Sequence, residues 1–159
     1  MDKDSHIFIP AATPFNILKI RKNGEKSWGT ELSLGLNIRA IAADTENGLY
    51  ISGNMKLSLD GKNSKGGTDI FLLKISQQGP KLWSRSFGTA LDESATALAT
   101  KDAEAVAVVG NLPQTVGTDD DETEKHDAFV VNYNSAGKQQ WTYILKGRNS
   151  EQSTVAAWT

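Results

Sequence analysis

Short apolar runs bounded by polar turn residues recur along the chain, without the three-to-four-residue spacing of an amphipathic helix. Phe15-Asn16-Ile17-Leu18-Lys19-Ile20, Asp69-Ile70-Phe71-Leu72-Leu73-Lys74-Ile75 and Asp127-Ala128-Phe129-Val130-Val131-Asn132-Tyr133 are rich in β-branched and aromatic residues. Runs of this length and composition read as strands buried on both faces. Polar residues ending in glycine follow, as in Arg21-Lys22-Asn23-Gly24 and Asn134-Ser135-Ala136-Gly137. Glycine supplies the positive φ of a tight reversal, so each run is expected to open a hairpin. The second strands are then Lys26–Leu32, Lys81–Phe87 and Gln139–Leu145.

Each second strand carries a tryptophan four residues after the turn glycine, giving the pairs Gly24/Trp28, Gly79/Trp83 and Gly137/Trp141. The tryptophans are 55 and 58 residues apart, so one supersecondary unit is copied. A small-residue third strand is implied by Arg39–Ala43, Thr96–Thr100 and Thr154–Trp158. A fourth, closing on Gly-Asn, is implied by Leu49–Asn54 and Ala105–Asn111. A helix over Leu91–Asp102 is the alternative there, since Ala and Leu abound, but the matching Ile38–Asp44 segment is too short for one.

Four short antiparallel strands per unit, in tandem at this period, predict an all-β fold of β-propeller blades. The expected division is a stray strand at 6–9, blades at 15–54 and 69–111, and a partial blade at 127–158, an incomplete ring in one chain. Strand His6–Ile9 is expected to close an earlier blade, and could complete the Gln139–Trp158 blade of another copy. The small-residue strands suit the crowded centre of a ring, and the three tryptophans suit the wider gaps between blades. Gly24, Trp28, Gly79, Trp83, Gly137 and Trp141 are therefore expected to be structural.

Composition narrows the function classes. The 159 residues carry a net charge of −2, with 17 Lys and Arg scattered rather than clustered, which argues against nucleic acid as a partner. No apolar run approaches the ~20 residues of a membrane helix. The absence of cysteine excludes disulfides and thiolate chemistry. The first residues, Met1-Asp2-Lys3-Asp4-Ser5-His6, offer no export signal. Either the protein stays in the cytoplasm, or such a signal lies outside this chain.

Asp69-x-Phe71-Leu72-x-Lys74 through Gly79 and Trp83, then Phe87-Gly88, Asp92-Glu93 and Val109-Gly110-Asn111, resembles one unit of the bacterial SBBP-type β-propeller repeat. The third unit keeps Asp127, Phe129, Gly137 and Trp141 but has Lys146-Gly147 in place of Phe87-Gly88. The first has Pro14 in place of the leading Asp. The resemblance spans residues 15–159 and implies a propeller in a large exported or cell-surface protein, while saying little about activity.

The candidate chemistry is sparse. The acidic run Asp119, Asp120, Asp121, Glu122 could offer carboxylates to Ca²⁺, but it lacks the spacing of a dedicated loop and reads better as a solvated tip. Gly66-Gly67-Thr68-Asp69 has no second copy to complete an ion's shell, and Asp69 is expected to cap a turn. His6 and His126 lack companions at zinc spacing. Adjacent Asp92 and Glu93 point to opposite sides of an extended chain and cannot share one bond. No catalytic, cofactor or metal residue is assigned.

The leading expectation is a non-catalytic propeller module for protein–protein interaction or assembly, as a homo-oligomer or as part of a larger propeller. A carbohydrate-binding propeller is the alternative, favoured by exposure of Trp158 or Tyr143. A quinoprotein-like enzyme fragment is a third reading, because Leu-Lys-x-x-x-x-Gly-x-x-x-Trp is similar to the tryptophan-docking repeat of quinone-holding propellers. That reading requires metal-binding and cofactor-stacking residues that the sequence does not reveal.

Overall fold

The computed structural model describes residues 6–10, 17–32, 35–46, 48–56, 59, 65–114 and 125–146. These form eleven antiparallel strands and, among the described residues, no helix. The strands are β1 (Ile7–Pro10), β2 (Ile17–Ile20), β3 (Lys26–Thr30), β4 (Leu36–Ala43), β5 (Leu49–Met55), β6 (Asp69–Ile75), β7 (Lys81–Phe87), β8 (Ser94–Lys101), β9 (Ala105–Pro113), β10 (His126–Asn134) and β11 (Gln139–Leu145). They make three meandering sheets, β1-β2-β3, β4-β5-β6-β7 and β8-β9-β10-β11, none of them closed on itself. The all-β expectation holds, and residues 94–101 are a strand rather than a helix.

The sheets do not follow the sequence units. The middle sheet joins the third and fourth strands of one unit (β4, β5) to the first and second of the next (β6, β7), in the register Leu49↔Ile75 to Met55↔Asp69. The sheets thus cover 36–87 and 94–145, rather than the 15–54 and 69–111 expected for blades. The frame shifts because the long connection after the fourth strand brings β6 back beside β5, while the short link from β3 to β4 crosses to a new sheet. The strand at the start is likewise not spare: β1 pairs with β2, Ile7↔Ile20 to Pro10↔Ile17, one edge already occupied. The third strand expected at Thr154–Trp158, part of the Gln139–Trp158 blade proposed as its partner, lies outside the described residues, as do Asp119–Glu122.

The sheets stack face to face, and their apolar faces explain why. Ile17, Leu49, Ile51, Met55, Leu59, Phe71, Leu73 and Ile75 fill the first interface, with Trp28 and Phe8 packed against them. Tyr50, Ile70, Leu72, Val106, Val108, Phe129, Val131 and Tyr133 fill the second, with Trp83 and Phe87. Strands β5 and β6 alternate between these two clusters and are buried along their whole length, as expected for a layer covered on both sides. The gap between the second and third sheets is uneven. Close Cα approaches concentrate where β4 and β5 meet β8 and thin out at β6. Ala40, Ala42, Ala95 and Leu98 lie in that interface, with the rings of Trp83, Phe87, Phe129 and Tyr133.

Candidate functional site

The three glycine turns are built alike. Gly24, Gly79 and Gly137 have φ of +86°, +107° and +74°, and each donates its N–H to the carbonyl three residues back: Arg21, Ser76 and Asn134. The turn continues into a bulge in all three hairpins, at Lys19/Ile20, Lys74/Ile75 and Asn132/Tyr133. A three-residue loop with glycine in the left-handed region produces this geometry.

What the sequence did not disclose is that the glycine of one unit meets the tryptophan of the unit before it. Trp28 Nε1 donates to the Gln77 carbonyl at 2.8 Å, and its ring lies against Gly79, 3.3 Å from where a Cβ would be. Trp83 repeats the contact one sheet further on: Nε1 donates to Ser135 O at 2.9 Å, with the ring against Gly137. The residue two positions after each tryptophan adds a second donor to the same turn. Thr30 Oγ1 reaches Gly79 O at 2.9 Å, and Arg85 Nε reaches Gly137 O, with its Nη2 on Ala136 O at 3.3 Å. Two sheets are thus fastened at the turn by an indole, a second donor and a glycine on which the ring rests.

The third copy carries the same parts in the open. Trp141, Tyr143 and Leu145 occupy the places of Trp83, Arg85 and Phe87, but they are 48%, 61% and 48% exposed. At the other end, Gly24 is exposed where Gly79 and Gly137 are buried, and a Cβ there would meet nothing within 4 Å among the described residues. The cross-strand rows differ too. Phe8–Lys19–Trp28 and Tyr50–Lys74–Trp83 set an aromatic ring and a lysine beside the indole, at 6.0 and 5.9 Å between rings, whereas the third row is Ala107–Asn132–Trp141.

Two clusters of ionisable groups lie deeper. Asp44 Oδ1 accepts from Glu46 N and Gly48 N, closing the β4–β5 turn, while its Oδ2 pairs with Lys74 Nζ at 3.3 Å. The ammonium also stands 4.8 Å from the centre of the Tyr50 ring. Burial opposes charge on Lys74, but Tyr50 and Asp44 outweigh it and hold its pKa above the ordinary lysine value. Burial raises the Tyr50 hydroxyl, with Lys74 pulling the other way.

The second cluster joins Asp69 and Glu93, both 1% exposed. Asp69 Oδ2 caps the turn before β6 by accepting Lys65 N at 2.8 Å, and Glu93 Oε1 accepts from Thr89 Oγ1. Asp69 Oδ1 and Glu93 Oε2 have no hydrogen-bond partner, and a side chain at Gly88 would run into both. Asp92 points the other way, to solvent, where the Thr68 side chain and N–H hold its carboxyl below the usual range. The tandem Asp92-Glu93 is therefore split, and Glu93 converges at Gly88 with Asp69, 24 residues away, which the sequence did not indicate. Among the described residues no three His, Asp or Glu side chains gather as a metal site, and no helix is long and apolar enough to cross a membrane.

A cleft of about 450 Å³ opens between Asn37, Arg39, Asn54, Lys56 and Thr68. No aromatic side chain lines it among the described residues, so it lacks the flat platform on which a sugar ring stacks. Its described lining includes no Ser, Cys or His.

No family model matches the chain. A regulatory protein, FlaEY of Caulobacter vibrioides (strain ATCC 19089 / CIP 103742 / CB 15), is 26% identical over 135 residues, covering 77% of this chain. The chain spans only 14% of that protein's length, so its likeness is to a segment of a much longer polypeptide.

Proposed function

We propose that this chain is a non-catalytic segment of a β-propeller, of the SBBP-type repeat it resembles, whose role is assembly with other protein surfaces. The observation that carries this reading is the row Trp141–Tyr143–Leu145. Two equivalent rows are closed by the next sheet of the chain, whereas this one presents an indole, a phenol and a leucine to solvent. Contiguous exposed aromatic and aliphatic side chains are costly in water, and Trp and Tyr dominate the energetics of protein interfaces. The wedge-shaped gap between the second and third sheets, narrow at the alanine strands and wide at the aromatic ones, suits blades placed around an axis. Pull-down with the wild-type chain and with Trp141→Ala as bait tests it: the reading requires a protein, whether another copy or a distinct partner, that is retained by the first and lost by the second.

A carbohydrate-binding reading draws on the same exposure, since Tyr143 and Trp141 lie on one face of β11 as adjacent stacking platforms. A glycan array decides between the two, because the assembly reading expects no glycan signal that depends on Trp141.

A further inference from the structure

The two open halves at the ends of the stack belong to the same joint. Inside the chain that joint occurs twice with one geometry: an indole N–H on the carbonyl two residues before a turn glycine, and a second donor on or beside that glycine's carbonyl. The third sheet retains the donor half. Trp141 Nε1 and the Tyr143 hydroxyl are on its exposed face in the register positions of Trp83 and Arg85. The first sheet retains the acceptor half, the uncovered Gly24 turn with the Lys22 carbonyl two residues before the glycine.

We propose that a second copy of this chain supplies the missing half at each end: Trp141 of one copy donates to the Lys22 carbonyl and lies on Gly24 of the other, with Tyr143 donating to the Gly24 carbonyl. The proposal rests on the assembly reading and names its partner and its contact. Charge supports the pairing. The Gly79 and Gly137 turns, Ser76-Gln77-Gln78 and Asn134-Ser135-Ala136, are neutral, and the second accepts the cation Arg85. The Gly24 turn carries Arg21 and Lys22, and the donor matched to it is the neutral Tyr143, which brings no second cation against them. Arg21 is held in place by Glu25 at 3.5 Å.

Size supports it as well. A contact between unlike surfaces either closes a ring or continues as a filament. Two copies of this chain joined reciprocally stack six sheets of described residues, within the ~4–8 blades of propellers. The expected species is a twofold dimer of about 34 kDa, twice the 17.2 kDa chain.

Light scattering on the full chain, across a range of protein concentrations, reads the mass directly. Trp141→Ala is expected to weaken self-association by ~30-fold or more while leaving the far-ultraviolet spectrum unchanged, since the side chain is exposed. The sequence has no cysteine, so Asn23→Cys with Tyr143→Cys places two thiols that can form a disulfide only if these surfaces meet. Oxidation is expected to give covalent dimer from the double variant and none from either single variant. A wild-type chain at 17 kDa up to millimolar concentration overturns the proposal. So does a dimer that survives Trp141→Ala and fails to cross-link, which leaves the broader assembly reading standing. A monomer that still captures a different protein through Trp141 overturns the self-pairing alone, and a monomer that captures nothing overturns both.

Discussion

Trp83 donates its indole N–H to the backbone of Ser135 at 2.9 Å, 52 positions along the chain, and the ring rests on Gly137 two residues further on. A Cβ at Gly137 would stand 2.8 Å from the indole, on a backbone whose φ is +74°. Gly137→Ala is therefore expected to cost about 2–5 kcal/mol, combining roughly 1–2 for the left-handed backbone with 1–3 for the steric conflict. Gly24→Ala carries the same backbone strain at φ +86° and no collision, so its cost is about 1–2 kcal/mol. Urea unfolding of the two variants measures the difference; equal costs would mean that the indole does not seat on Gly137.

The tryptophans should separate by position rather than by residue type. Trp28→Ala and Trp83→Ala each remove a packed ring and a donor between sheets, at about 3–5 kcal/mol. Trp141→Ala, in solutions dilute enough to keep copies apart, is expected to change the unfolding free energy by no more than ~0.5 kcal/mol. Parallel denaturant curves on the three variants check the ranking.

Glu93 and Asp69 each leave one buried side-chain oxygen without a partner, and a buried polar atom that makes no hydrogen bond costs stability. Glu93→Gln keeps the acceptor for Thr89 and turns the other atom into an N–H₂ able to donate towards Asp69 Oδ1. It is expected to stabilise the fold by about 1–2 kcal/mol at neutral pH. A loss of stability in that variant, read from a thermal melt, would show that the new amide finds no acceptor on Asp69.

Alkali should loosen the second sheet interface. Burial pushes the Tyr133 hydroxyl up from 10.0 to about 12, so between those values an unfolded chain has lost a proton that the folded one keeps. The unfolded state then binds fewer protons and stability falls as pH rises, by roughly 2–3 kcal/mol across the window from this side chain. Lys74, also raised, adds in the same direction: its contribution is complete below the ordinary lysine value and is lost above its folded one. Tyr133→Phe is expected to flatten the pH dependence of the melting temperature above pH 10, leaving the slope due to Lys74 and Tyr50.

Strands and turns were legible because each is local. The apolar runs before Gly24, Gly79 and Gly137 fix where a strand stops, and a positive φ fixes how the chain turns. Sheet membership was not legible: β5 is followed by a long connection and then pairs with β6, and nothing in the sequence marks β6, rather than a strand of its own repeat, as that partner. The Trp83–Gly137 contact escaped for a related reason. The spacing Gly-x-x-x-Trp suggests a relation within one hairpin, yet the atoms that meet come from successive copies. Asp69 and Glu93 were each visible as acids, but only the fold brings them to Gly88.

Because each complete four-stranded sheet takes two strands from one repeat and two from the next, every repeat is a bridge between layers rather than a layer. Copying a whole repeat in the gene would lengthen the stack by one sheet while leaving existing pairings intact, since the newcomer enters as the end of one ladder and the beginning of another. Deleting part of a repeat would orphan strands in two layers at once. Growth by whole repeats is thus the tolerated route, and a stack built this way keeps a glycine turn ready at one end and an indole at the other whatever its length.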